Sequence, residues 1–145
     1  MEPATDPILE LADVSRRTEG TQLLESIDWQ VRAGQHWVVL GPNGSGKSTL
    51  LRIAALQLHP TTGTVSVLGR TLGRTDVRLL RRQIGYASAT LADAFRPDLA
   101  ATDVVMTARH GALEPWWHEY GDEDRDRARD LLKRIGCGHR ADHRF

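Results

Sequence analysis

One cysteine, Cys137, stands in a chain of 145 residues, which excludes an internal disulfide framework. Nothing beside it marks an activating base, so it reads as an ordinary thiol. Charge of one sign is not in excess either: 19 Lys and Arg balance 19 Asp and Glu. That balance removes any general attraction to nucleic acid or to an anionic membrane, and no nucleic-acid partner is expected. No apolar run approaches the ~20 residues that cross a bilayer. The opening Met1-Glu2-Pro3-Ala4-Thr5-Asp6 has neither the basic nor the apolar region of a secretion signal. Internal repeats and low-complexity linkers are also missing. What remains is a cytoplasmic chain long enough for one domain with a real core.

Lysine is the scarcest charged residue. Seventeen arginines accompany only Lys47 and Lys133. An ammonium is a compact, swivelling point charge, whereas guanidinium is a planar fork. A lysine at position 47 is therefore consistent with a specific chemical need.

The periodicity of the first half is that of strands. Ile8–Val14 is apolar-rich, Arg16–Thr21 has the composition of a turn, and Ile27, Trp29 and Val31 alternate with polar neighbours. Alternation of this kind marks a half-buried strand in an antiparallel sheet. Trp37-Val38-Val39-Leu40 is a continuous apolar run, expected to be a strand covered on both faces. Leu50–Leu58 carries only Arg52 and Gln57 as polar members, which predicts a deeply buried helix. Gly63–Gly69 alternates again. Asp76–Gln83 has a helical pattern, Ile84–Ala87 that of a short buried strand, and Ser88–Leu99 none. A helix is expected over Asp103–His110 with Gly111 as its stop. In the last helix Asp122, Glu123 and Asp124 complement the macrodipole. Ala128, Leu131, Leu132 and Ile135 form its apolar stripe, and Gly136 ends it.

Between the apolar run at 37–40 and the helix after it lies Gly41, Pro42, Asn43, Gly44, Ser45, Gly46, Lys47, Ser48 and Thr49. Gly41–Ser48 matches G-x-x-x-x-G-K-[ST]. Glycines at 41, 44 and 46 let the backbone curl until successive N–H groups face one concavity, which binds anionic oxygens. The helix beginning near Lys47 adds its positive end. In this chemistry Lys47 reaches the β- and γ-phosphates, the Ser48 hydroxyl ligates magnesium, and Thr49 adds a contact to the α-phosphate. Strand, loop and helix fall in the required order, so ATP with magnesium is the expected ligand.

The segment 41–51, ending Lys-Ser-Thr-Leu-Leu, resembles the Walker A segment of ATP-binding-cassette (ABC) ATPases. Leu23-Leu24 and Val31–Gln35 are similar to that family's antiparallel strands and pre-loop turn. Pro60–Val65 with Gly69 resembles its P-x-x-G-x-[IV] strand, and Arg82–Tyr86 its approach to the glutamine-bearing loop. The resemblance implies an α/β P-loop NTPase core of RecA type. To it are joined an N-terminal antiparallel β subdomain and the start of an α-helical subdomain, with the sheet incomplete. The expected division is about 1–88 for the β subdomain and core and about 89–145 for a linking loop and helical subdomain.

Three departures from the family pattern stand out. No aromatic residue occupies the adenine-stacking position near Arg17–Thr18. Ala87-Ser88-Ala89 follows Ile84-Gly85-Tyr86 where a glutamine is usual, with Ala89 in the aligned place. The signature segment, the Walker B Asp-Glu and the switch histidine do not occur between Phe95 and Phe145, so the chain resembles the N-terminal part of a cassette. No catalytic residue is identified in it. The resemblance implies a subunit that binds ATP and magnesium and energises solute transport. Its partners are then a membrane permease and a second nucleotide-binding subunit, at the inner face of the cell membrane. The chain alone is expected to hydrolyse ATP at or near background. The alternatives are a soluble ABC ATPase outside transport, a non-catalytic nucleotide-binding module, and a P-loop kinase of a small molecule.

Elsewhere the readings are plainer. Trp116-Trp117 is ordinary packing or a permease contact. Arg70–Arg82 is a solvated helix face or a contact for phosphate or acidic lipid, and the interspersed Leu79, Leu80 and Asp76 favour the solvated face. Cys137, His139 and His143 lack the fourth ligand of a structural zinc site.

Overall fold

A computed structural model describes residues 6–144. The N-terminal Met1–Thr5, including most of the acidic segment noted above, and Phe145 lie outside the described residues. The chain divides into two compact units, Met1–Leu80 and Arg81–Phe145.

The first unit is built on a four-stranded antiparallel sheet in the order β2-β1-β3-β4. Its strands are β1 (Leu9–Thr18), β2 (Thr21–Val31), β3 (Thr62–Val67) and β4 (Arg70–Thr71). β1 runs through the stretch expected to be a turn, because the turn needs only Glu19 and Gly20. Both have positive φ, 48° and 81°, the geometry that suits a two-residue hairpin between right-twisted strands. Leu11 of β1 stands opposite Trp29 of β2 and Val65 of β3. Leu11, Val14, Val65 and Val67 are buried, while Asp28 and Gln30 of β2 face solvent as their alternation requires.

Helix α1 (Lys47–Ala54) contributes the buried Ile53. It stops four residues before the expected end at Leu58. Leu56 adopts a left-handed conformation, φ 58°, with Leu56 N–H donating to the Ile53 carbonyl and Gln57 N–H to the Arg52 carbonyl, at 2.9 and 2.8 Å. This is a Schellman stop with leucine in the place that glycine usually takes. Burial of the Leu56 side chain, 2% exposed, offsets the strain. The helix is not apolar all round in its setting either: Leu51 is exposed.

The run Trp37–Leu40 is the larger correction. It is not a strand in this structure, and no described strand pairs with it. Val38 and Leu40 are 79% and 85% exposed. A segment becomes a sheet strand only by hydrogen bonding to a neighbour, and apolar composition alone does not supply one. The same holds for Ile84–Ala87, which is irregular.

Helix α2 (Val77–Arg81) follows Asp76, whose carboxylate accepts from the Arg78 N–H at 3.0 Å. In the second unit, α3 (Ala101–Thr107) and α4 (Asp122–Arg134) pack together around Met106, Ala128 and Leu132. Asp103 pairs with Arg125 at 3.5 Å, and Asp124 with Arg109. The Gly121 N–H donates to the Asp124 carboxylate at 3.1 Å, closing the first turn of α4 as an acidic residue at that position does. Only part of the expected α4 stripe is buried: Leu131 and Ile135 are 41% and 72% exposed. Residues 88–99 are more ordered than their composition predicts. The Ser88 hydroxyl accepts from the Thr90 N–H at 3.2 Å and caps a short 3-10 helix, Ala89–Ala94.

Candidate phosphate-binding loop

All nine residues Gly41–Thr49 fall in one loop and the first turn of α1. Gly44 and Gly46 have φ of 82° and 85°, a left-handed conformation that side chains disfavour. Gly46 is also the residue that starts α1. Its place is set by strand β2: a Cβ there would lie 2.5 Å from the Leu23 carbonyl oxygen and 2.8 Å from Leu24 Cδ2. Only glycine lets the hairpin and the loop approach so closely. A Cβ on Gly41 would lie 2.8 Å from Ser45 Oγ.

The electrostatics of the loop favour an anion. The backbone N–H groups of Lys47, Ser48 and Thr49 open the helix and have no acceptor within it. No acidic residue occupies the first turn, so nothing local neutralises the positive end of the helix. Lys47 folds back over the loop. Its Nζ donates to the carbonyls of Gly41 and Pro42 at 2.8 and 2.6 Å, and to Ser45 Oγ at 3.4 Å. The ammonium thus sits at the mouth of the curled backbone on a long, flexible stem. Ser48 is exposed beside it, its hydroxyl free to serve a hard cation as one oxygen ligand among several.

The residues that pin the loop to its surroundings were not legible as site residues. The Leu23 carbonyl meets the loop only because β2 runs past Gly46. The Arg17 N–H donates to Thr61 Oγ1 at 3.0 Å, and Arg16 Nη1 donates to the His59 carbonyl at 3.1 Å. These bonds tie the β1–β2 hairpin to the segment after α1 across more than forty residues of chain. No local spacing signals them.

The side chains singled out in the second unit have local partners of their own. Ser88 spends its hydroxyl on a helix cap. Among the described residues no group of three or more His, Cys, Asp or Glu is arranged to hold a metal, so Cys137, His139 and His143 do not converge. Trp116 lies beneath the Arg96 guanidinium at 5.3 Å and its Nε1 donates to Glu114 at 2.9 Å, while Trp117 is 81% exposed. No described helix is long and apolar enough to cross a membrane.

Comparison with known proteins joins the loop to the rest of the chain. Residues 24–145 match the ABC transporter family model. The chain belongs to the ABC transporter family. Among its relatives, the ABC transporter ATP-binding protein YmeB of Lactococcus lactis is 32% identical over 90% of this chain and 50% of its own length. The manganese transport system ATP-binding protein MntB of Halalkalibacterium halodurans is 35% identical over 90% of this chain and 50% of its own. The hemin import ATP-binding protein HmuV of Gloeobacter violaceus is 34% identical over 95% and 48%. The chain spans about half the length of the curated relatives it matches. Among solved structures, a dimeric bacterial ABC transporter cassette, MJ0796, superposes with a TM-score of 0.74 at 25% identity, covering 94% of this chain and 61% of that one. The ABC cassette fold, a P-loop NTPase fold with mixed helix and strand, is therefore the fold of this chain, with its sheet open.

Proposed function

We propose that this ABC family chain binds ATP and magnesium through Gly41–Thr49. Lys47 serves the β- and γ-phosphates, Ser48 the magnesium, and the N–H groups of the curled loop the phosphate oxygens. The observation that carries this reading is the Lys47 ammonium held at the mouth of a loop whose left-handed glycines open onto a helix N-terminus.

The names of the relatives, a manganese transport system and a hemin importer among them, support a role in energising solute transport. In that role the chain sits at the inner face of the cell membrane through a permease. The dimeric cassette supports pairing with a second nucleotide-binding subunit. Magnesium supplies charge neutralisation at the phosphates when bound, and the chain's own groups hold and orient them. Positioning a water for attack needs a further side chain. Gly41–Thr49 contains no acidic residue and no glutamine to do it, and Ala87 and Ala89 offer none either.

The division of labour is testable by phosphate release. With magnesium and ATP the 145-residue chain is expected to release phosphate at the rate of buffer. Steady turnover that Lys47→Ala abolishes contradicts the proposal that this chain binds without hydrolysing.

A further inference from the structure

We propose that Asn43 is a self-modification site: cyclisation onto the Gly44 nitrogen, then hydrolysis, turns its side-chain amide into a carboxylate, and the new charge closes the loop to phosphates. The closure rests on the nucleotide-binding reading above and adds a route by which that site is lost with age.

Asn43 is the only asparagine in the chain, and glycine follows it. The pair forms the two central residues of a turn: the Ser45 N–H donates to the Pro42 carbonyl at 3.3 Å, and Gly44 has φ 82°. That is a type II turn, which needs a positive φ at its third residue. Residues 42–45 are all exposed, and a Cβ on Gly44 would meet nothing within 4 Å. Among the described residues neither the Asn43 amide nor the Gly44 N–H has a hydrogen-bond partner. An amide held by partners, or followed by a bulky residue, cannot swing its carbonyl carbon onto the next nitrogen. Here nothing holds it, and glycine leaves both the approach and the rotation of the peptide open.

The chemistry needs only water. The Gly44 nitrogen bonds to Asn43 Cγ, the Cγ–Nδ2 bond breaks, and the displaced N–H proton leaves with the amide group as ammonia. Water then opens the cyclic imide, its OH adding to one carbonyl carbon and its hydrogen returning to nitrogen. Opening at Cγ gives aspartate. Opening at the backbone carbonyl gives isoaspartate, whose main chain is longer by one carbon. Either product ionises near neutral pH.

That charge arises in a sensitive place. Gly41–Thr49 has one cation, Lys47, and no acid. The Pro42 carbonyl, one residue before Asn43, accepts from Lys47 Nζ at 2.6 Å. A carboxylate at position 43 competes for that ammonium and repels phosphate oxygens. Bound phosphate acts in the opposite sense, because a loop N–H given to an anionic oxygen is no longer a free nucleophile.

The test ages the 145-residue chain at mildly alkaline pH, with and without magnesium-ATP. Mass spectrometry follows the peptide holding residue 43, and enzymatic methyl transfer detects isoaspartate. That peptide is expected to exchange NH2 for OH and to yield isoaspartate, and saturating magnesium-ATP is expected to slow both several-fold. Asn43→Gln, whose longer side chain closes the ring far more slowly, should change little and keep through ageing the affinity it starts with. The aged chain and fresh Asn43→Asp, with thermal unfolding retained, are expected to bind magnesium-ATP about tenfold or more weakly than the fresh chain. An Asn43 that stays intact while an unstructured peptide of residues 38–48 converts overturns the modification site. Conversion that leaves magnesium-ATP affinity unchanged overturns the closure. A fresh chain that converts but never binds magnesium-ATP overturns the nucleotide-binding reading, and the closure with it, and leaves the modification site standing.

Discussion

The Lys47 ammonium donates to the Pro42 carbonyl at 2.6 Å. A residue of the first helical turn thereby holds the far side of the loop that precedes it. With the Gly41 carbonyl accepting at 2.8 Å and Ser45 Oγ at 3.4 Å, the same ammonium directs all three of its donors at the loop. The loop is thus shaped by the side chain proposed to meet the phosphates. Preorganisation of this kind lowers the ordering cost of binding.

Two glycines with similar φ should respond very differently to alanine. Gly63, φ 86°, sits where a Cβ would lie 2.3 Å from the Asp13 carbonyl oxygen, whereas Gly136, φ 77°, has nothing within 4 Å. Gly136→Ala carries only the left-handed penalty, about 1–2 kcal/mol. Gly63→Ala adds a backbone clash in the centre of the sheet and should cost well over ~3 kcal/mol. Thermal unfolding of the two variants checks the order. Equal losses would contradict the packing described for β1 and β3.

His110 sets a pH dependence in the second unit. Its ring stacks on His118 at 4.1 Å and meets Tyr120 edge-on at 5.4 Å. Burial first, then His118, Arg82 and Arg109, hold its pKa below the ordinary 6.5, with Asp124 opposing. A lowered value means the unfolded chain binds the proton more readily than the folded one. Stability is therefore full above about pH 6.5 and declines as pH falls from there through the lower folded value. Thermal midpoints followed by tryptophan fluorescence at pH 7.5 and 5.5 should fall toward the acid side. His110→Phe, which keeps a ring in the stack, should reduce that fall.

The exposed run at 37–40 should make the chain associate. Val38 and Leu40 present apolar surface that no described strand covers, and exposed apolar segments beside open backbone recruit other chains. Size-exclusion chromatography over a range of concentrations is expected to show association, and Val38→Lys with Leu40→Lys should shift the chain toward monomer. An unchanged elution profile would locate the association elsewhere.

These outcomes bear on what a sequence can show. The loop's shape was legible because it rests on local features: glycines at 41, 44 and 46, two of them left-handed, directly before the first turn of α1. The hairpin strands were legible through alternation, although Arg16–Thr18 looked like a turn because polar residues on an exposed hairpin end carry no apolar period. Trp37–Leu40 failed for a different reason. Composition reports what a segment suits, and pairing depends on a neighbour that no local pattern reveals. The early end of α1 was hidden because leucine, not glycine, takes the left-handed position at 56. The approach of Leu23 to Gly46 joins residues 23 apart, and only the fold brings them together.

The central claim is that Lys47, in this loop, holds nucleotide phosphates through a compact ammonium. The most direct measurement is an equilibrium titration of magnesium-ATP into the chain and into Lys47→Arg and Lys47→Ala. Charge-assisted hydrogen bonds of this kind contribute about 1.5–3 kcal/mol, so Lys47→Ala should weaken binding by about tenfold or more. Lys47→Arg keeps the charge but replaces a swivelling point with a planar fork, and it should fall close to Lys47→Ala. Wild-type affinity in either variant, or no saturable binding by the unaltered chain, would contradict the account.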